Sequence, residues 1–271
     1  MNLAAAKLVD RVGGAVLGRA YAVADALARL RRAPAPIEDV DRILVVKFWG
    51  LGNWALLRPV VRDLAARWPR AKTTLVTLAA NRALVEDLAD DVILLRGEGY
   101  GRLVADLARA VRRIRRARTS LSVDFEQFSS AGTLLARAAG VPQRIGFASA
   151  FPSRDALLTA RVPFRRDAHA SRSFRDLVEA AGVPRGPYLA GALASTARGR
   201  AEAGRLLGGA SGRRGDRDVV VLHPGSGDNF PGRRWSEAGF SALARQAVER
   251  RGLRAVVTGS ASERELCARV A

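Results

Sequence analysis

Two carboxylates, Asp124 and Glu126, stand in Val123-Asp-Phe-Glu-Gln-Phe128 where a β-forming run gives out. In a parallel sheet that is the end at which substrates bind, and a carboxylate there can take the proton of an attacking hydroxyl. Capping of a helix that starts near Ser130 is the equal alternative. A second constellation follows the apolar run Val219 to Leu222: His223-Pro-Gly-Ser-Gly227, then Arg233-Arg234-Trp235 ahead of an amphipathic stretch. Its glycines let backbone amides approach a ligand and its guanidiniums supply charge, so it suits an anion, a solvated arginine pair being the alternative. A third, Gly50-x-Gly52-x-x-Ala55, fits the dinucleotide-binding pattern. That chemistry needs an acid about 20 residues on, at the end of the second strand. Ala79-Ala-Asn-Arg82 stand there instead, which argues against a nicotinamide or flavin enzyme.

These groups need strands to carry them and helices to cover the strands. The spacing predicts strands over Arg42 to Lys47, Thr73 to Leu78, Val92 to Leu95, Leu121 to Asp124 and Arg144 to Phe147, about five in the first domain. Between them fall helices from Asn53 (as N-cap, buried through Leu57, Val60, Val61, Leu64 and Trp68), Asn81 to Leu88, Leu103 to Arg116 and His169 to Ala181. Pro59 should bend the first of these. Such alternation means a doubly wound α/β domain. A Gly/Pro-rich connection over 182–191, a short helix and a polar run over 208–217 lead to a second unit. There Val219 to Leu222 reads as a strand buried on both faces, followed by a helix from Ser236 with Phe240, Leu243, Ala244, Ala247 and Val248 inward, and Gly252 as its stop. Arg254 to Val257 is a further strand, and a helix starts at Ser262. The domains expected are an N-terminal amphipathic helix (1–36), a Rossmann-like domain with its linker (37–190) and the start of a second (191–271).

The formal charge is +19 over 271 residues, carried by arginine, since Lys7, Lys47 and Lys72 are the only lysines. Such a field favours phosphorylated sugars, anionic headgroups or nucleic acid. No aromatic residues interleave with Arg109, Arg112, Arg113, Arg115, Arg116 and Arg118, so a solvated basic face is the stronger reading there and no nucleic-acid partner is expected. Cys267 is the single cysteine, which excludes an internal disulfide and fits a reducing compartment. No apolar run reaches the roughly 20 residues that span a bilayer. The stretch Met1 to Arg32 is patterned as a helix that docks on its own domain or lies on an anionic membrane. His169 has no ligand set around it in sequence.

His223-Pro-Gly-Ser226 with Arg233-Arg-Trp235, then Thr258-Gly259 and Ser262-Glu-Arg-Glu265, resembles the donor-binding half of glycosyltransferase family 9, the ADP-heptose:lipopolysaccharide heptosyltransferases. Arg144-Ile-Gly-Phe147 after Gly140-Val-Pro142 is similar to the family's first domain. The resemblance implies a GT-B fold of two Rossmann-like domains. It also implies inverting transfer of a heptose-like sugar from a nucleoside diphosphate, ADP by family habit, to a lipopolysaccharide or related lipid-linked or polysaccharide acceptor, with no cofactor. The setting would be cytoplasmic, peripheral on the inner face of the membrane. Ser226 and Gly227 match the phosphate loop, and Arg233 stands where many members have lysine before the Arg234-Trp235 pair. Gly259 belongs to the donor side, Glu263 matches a ribose-contacting glutamate, and Gly50 and Gly52 frame the cleft loop.

Asn53 departs from the family, which has aspartate as proposed base at that place; an amide accepts no proton at neutral pH. Asp124 or Glu126 then serves as the base, or the protein is a non-catalytic, sugar-nucleotide-binding relative. Two Asp-x-Asp triplets, Asp39-Val-Asp41 and Asp216-Arg-Asp218, precede strands and so fall at the amino edge of their sheets, away from ligands. No metal is expected, and Arg233 and Arg234 would supply the charge on the departing diphosphate. A final expectation is that the donor domain is incomplete: only two strands follow the linker, and the family's Asp-Thr-Gly segment and donor-closing histidine have no match.

Overall fold

In the computed structural model, residues 39–96, 99–148, 152–186, 195–208, 218–226 and 231–271 are described, together with Gly18, Arg19, Tyr21 and Ile37. The chain divides into two units, Met1–Leu193 and Ala194–Ala271.

The first unit is built on β1 (Arg42–Val46), whose last four residues are buried. Successive strand side chains point to opposite faces. Ile43 and Val45 therefore enter one core with Trp54, Leu57 and Val61 of α1 (Leu51–Arg67), while Leu44 and Val46 enter another with Ala110 and Ile114 of α3 (Tyr100–Arg116). The remaining strands are β2 (Lys72–Leu78), β3 (Asp91–Leu95), β4 (Leu121–Asp124), β5 (Gln143–Ala148) and β6 (Ala160–Pro163). Between them lie α2 (Arg82–Val85), α4 (Ala131–Ala138) and α5 (Pro152–Asp155), with α6 (Ala170–Ala180) after β6. All five pairings are parallel and the order is β3-β2-β1-β4-β5-β6. The order reverses between β1 and β4, which opens a crevice at their carboxyl ends.

Asn53 is not an N-cap: Gly50, at φ +90, turns the chain early, and Asn53 becomes the third residue of α1. Pro59 lies inside the 17-residue α1 and has no N–H to offer the Ala55 carbonyl. The helix expected over Asn81 to Leu88 shrinks to a 3-10 turn, Ala79–Asn81, and the four residues of α2. β6 was not anticipated; Val162 is its one buried residue and Pro163 ends it, a pattern tolerated at a sheet edge that gives little alternation to read. His169 caps α6, its Nδ1 accepting from the Ser171 amide.

The expected N-terminal helix lies outside the described residues apart from three. Gly18 is buried against Ser153, and Tyr21 stacks 4.9 Å from the Arg137 guanidinium. The polar run over 209–217 also lies outside them. No helix among the described residues is long and apolar enough to cross a membrane.

The second unit contains α7 (Ala197–Gly208), β7 (Val219–Leu222), α8 (Glu237–Arg251), β8 (Arg254–Val257) and α9 (Arg264–Val270), with β7 and β8 paired in parallel. Ser236 caps α8 by accepting the Gly239 amide, and Gly252 ends it at φ +63. Both strands fall where the pattern puts them, but burial on both faces does not follow. Leu222 is buried, whereas Val219 is 39% and Val221 61% exposed. On α8 only Ala244 and Ala247 of the expected stripe are fully buried; Leu243 and Val248 stay exposed.

Candidate functional site

In the first unit the crevice between β1 and β4 is fastened from below by one carboxylate. Glu126 Oε1 accepts from the amide of Phe48 at 2.6 Å, the amide of Trp49 at 3.0 Å and Lys47 Nζ at 3.1 Å. Lys47 and Glu126 are each 1% exposed. Burial pushes the Glu126 carboxyl up from its ordinary value, against Lys47 and the two amides, which draw it down. Asn81 Nδ2 adds a bond to the Phe48 carbonyl at 2.9 Å and another to Thr77 Oγ1, which also receives Trp54 Nε1.

Asp124 is equally deep. It accepts from Thr133 Oγ1 at 2.7 Å, from the Glu126 amide at 3.0 Å and from Arg154 Nη2 at 3.4 Å. Gly132 makes room for it, since a Cβ there would stand 2.7 Å from Asp124 Oδ1. Arg154, fully buried, also donates to the carbonyls of Glu126 and Phe147 and so ties the ends of β4 and β5 together. Neither carboxylate is the N-cap of α4, which is Ser130. Both act as internal acceptors that hold the loops above them.

Above this base Gly50, Leu51 and Gly52 are exposed and Asn53 is half-buried. Gly50 is demanded by its positive φ; a Cβ there would also stand 2.9 Å from the side-chain Nδ2 of Asn53, which would have to turn aside. Gly52 has open space around it and no unusual φ, so nothing in the structure requires glycine there. Lys47, Asn81 and Arg154 were missed as supporting residues. Lys47 alone carried a signal, a lysine closing an apolar strand; Arg154 had none, because its partners lie 7 to 30 residues away in sequence.

In the second unit the ends of β7 and β8 converge on Glu263. His223 Nδ1 and Thr258 Oγ1 lie 3.1 Å apart across the two strand ends. Glu263, 5% exposed, accepts through Oε2 from the amide and hydroxyl of Ser260 at 2.9 and 2.8 Å, closing a capping box. Its carboxylate presses on Gly225, where a Cβ would meet Oε1 at 2.1 Å. Arg234 Nη2 stands 3.8 Å from Glu263 Oε1. Gly259 is equally confined, a Cβ there falling 2.5 Å from Cys267 Sγ. Trp235 packs over Gly239 and edge-on to Phe240 at 5.3 Å, which anchors the arginine pair to α8. Arg233 is exposed in the 3-10 turn Pro231–Arg233 and Ser226 is half-buried after β7. Gly227 lies outside the described residues. Three of the expected donor-side residues thus gather there, Arg234 and Gly259 on either side of Glu263, with Cys267 beside Gly259. The feature the sequence did not reveal is Gly225, whose role is to admit the Glu263 carboxylate.

No family model matches the chain, and no curated protein matches it. Solved structures do. A glycosyl transferase family 9 structure from Veillonella parvula aligns at TM-score 0.71 and 21% identity, covering 88% of this chain and 68% of its own. The E. coli ADP-heptose lps heptosyltransferase II aligns at 0.66 and 20%, covering 84% and 67%. E. coli heptosyltransferase WaaC with ADP-2-deoxy-2-fluoro heptose aligns at 0.59 and 17%, covering 84% and 72%. At these identities the likeness is one of fold: the chain has the α/β, GT-B type fold of these glycosyltransferase structures, and the resemblance read from the motifs holds at that level.

Proposed function

We propose that this chain is an inverting, metal-independent glycosyltransferase of the family 9 type. It takes a heptose-like sugar from a nucleoside diphosphate, ADP by analogy with the structures it resembles, and passes it to a lipopolysaccharide or related surface-glycan acceptor. The observation that carries the reading is the cluster at the ends of β7 and β8: Glu263 seated against Gly225, beside Arg234 and the Thr258-Gly259 turn. A carboxylate in a strand-end loop suits ribose hydroxyls, and guanidiniums ahead of α8 suit a diphosphate, which the amino end of that 15-residue helix also favours. Ser226, Gly227 and Arg233 complete the donor loop in this reading. No cofactor takes part, and Arg233 and Arg234 stabilise the leaving diphosphate in place of a metal. The protein works on the cytoplasmic side, peripheral to an anionic membrane that presents the acceptor.

A specific observation favours a second reading, a degenerate sugar-nucleotide-binding relative. Asn53 is an amide, and Asp124 and Glu126 are both buried and engaged. Losing a general base costs about 10²- to 10⁴-fold. Incubation of the purified protein with ADP-heptose and a lipid-linked core acceptor, followed by mass spectrometry in the presence and absence of EDTA, tests the transferase. Transfer with inverted anomeric configuration and no loss in EDTA supports it. Tight donor binding without transfer moves the protein to the second reading.

A further inference from the structure

At the opposite edge of the first sheet, where β1, β2 and β3 begin, lies a half-open cavity of 320 Å³. Its walls include Arg42, Lys72, Thr74, Asp90, Asp91 and Arg113. Ligand pockets run from about 300 Å³ upward, so it can take one small molecule. Arg42 and Lys72 are register partners on adjacent strands and therefore project from the same face, the one that α3 covers. Like charges set opposite each other across a strand pair oppose the pairing unless something neutralises them.

The acids of the cavity form no ion pair with them. Asp91 is held by Arg113 at 2.5 Å, and Asp90 by the Thr73 amide at 2.7 Å. Among the described residues neither the Arg42 guanidinium nor the Lys72 ammonium has an acid partner. Thr74 is half-buried and lies on the same face of β2 as Lys72. The last turn of α3 reaches this edge, but Arg113, Arg115 and Arg116 in that turn offset its negative end.

We infer that this cavity is a binding site for a small phosphorylated metabolite, its dianionic phosphate bridging Arg42 and Lys72. The site stands at the amino edge of the sheet, away from the crevice at the carboxyl ends of β1 and β4, and it does not depend on the activity proposed above.

Isothermal titration of the full chain with inorganic phosphate, glucose 6-phosphate and glucose, at constant ionic strength, tests it. An Arg233→Ala background weakens any phosphate binding by the donor loop. Saturable binding of phosphate or its ester, absent for glucose, is the expected result. Lys72→Gln, at an exposed position, and Arg42→Gln should each weaken it by about tenfold or more, since each removes a charge-assisted contact. Comparable binding of both anions means that the phosphate alone is read; preference for the ester means that the sugar also enters the cavity. No saturable binding of either anion overturns the inference. So does binding that survives both substitutions in variants whose thermal transitions match the parent. Retained binding of a nucleotide sugar by Lys72→Gln distinguishes failure here from failure of the donor site.

Discussion

Gly225→Ala should damage the second unit far more than one methyl group suggests. The new Cβ would stand 2.1 Å from Glu263 Oε1, 2.2 Å from its Cδ and 2.5 Å from Oε2, so the carboxylate must leave. Glutamate tips move cheaply when solvated, but this one is 5% exposed and carries both hydrogen bonds from Ser260. Giving up a capping interaction costs about 1 kcal/mol, and giving up charge-assisted bonds in a buried setting about 1.5 to 3 kcal/mol, so a loss of about 2 to 4 kcal/mol is expected. Urea denaturation of wild type, Gly225→Ala, Glu263→Ala and the double variant forms a cycle that isolates the clash. In the Glu263→Ala background Gly225→Ala should cost under about 0.5 kcal/mol, because nothing is left to displace. An equal cost in both backgrounds, or a negligible cost in wild type, refutes the reasoning.

Arg233→Ala should weaken nucleotide-sugar binding by about 10- to 100-fold without altering the thermal transition, as loss of one charge-assisted contact implies; calorimetric titration reads it. Asn53→Asp should raise transfer by at least about tenfold if the missing base is what limits the reaction, whereas Asp124→Asn and Glu126→Gln should abolish transfer with little effect on donor affinity if either carboxylate has taken the role; steady-state assays separate these outcomes. Glu126 has a carboxyl raised by burial, so the folded state holds its proton longer than the unfolded chain. Relative to Glu126→Gln, wild-type stability should therefore fall as pH rises from the ordinary glutamate range through the raised value, as denaturation at several pH values would show. Asp106 behaves in the opposite way: hydrogen bonds from Arg96 hold it well below the usual 3.8. The stability lost in Asp106→Asn should be fully present above that value and vanish only as pH falls well beneath it.

The fold was legible wherever periodicity was strong. β7 and β8 fall where their valine runs put them, and β1 needed only the loss of Lys47, which leaves the strand to pair with Glu126. β6 was invisible because an edge strand with one buried side chain lacks the alternation that marks a strand. Start signals misled at Asn53, since a side-chain cap is unnecessary once Gly50 supplies the turn. The donor-side motifs marked the loops that follow β7 and β8 but gave no sign of the packing between them. That Gly225 must lack a side chain follows only from where the 3-10 turn ahead of α9 brings Glu263, 38 residues later in sequence. The same holds for Asp124 and Glu126: their placement at a strand end was readable, but their burial depends on Arg154, Thr133 and Lys47 arriving from three other parts of the chain.

The central claim is that the second unit holds a nucleoside diphosphate sugar through Glu263, Arg233 and Arg234. Calorimetric titration of the purified 271-residue protein with ADP-, UDP- and GDP-linked sugars tests it most directly. The account predicts saturable one-to-one binding of one nucleotide class, displaced by the free diphosphate and lost in Glu263→Ala. Absence of saturable binding by all three, or binding untouched by Glu263→Ala and Arg233→Ala together, would contradict it.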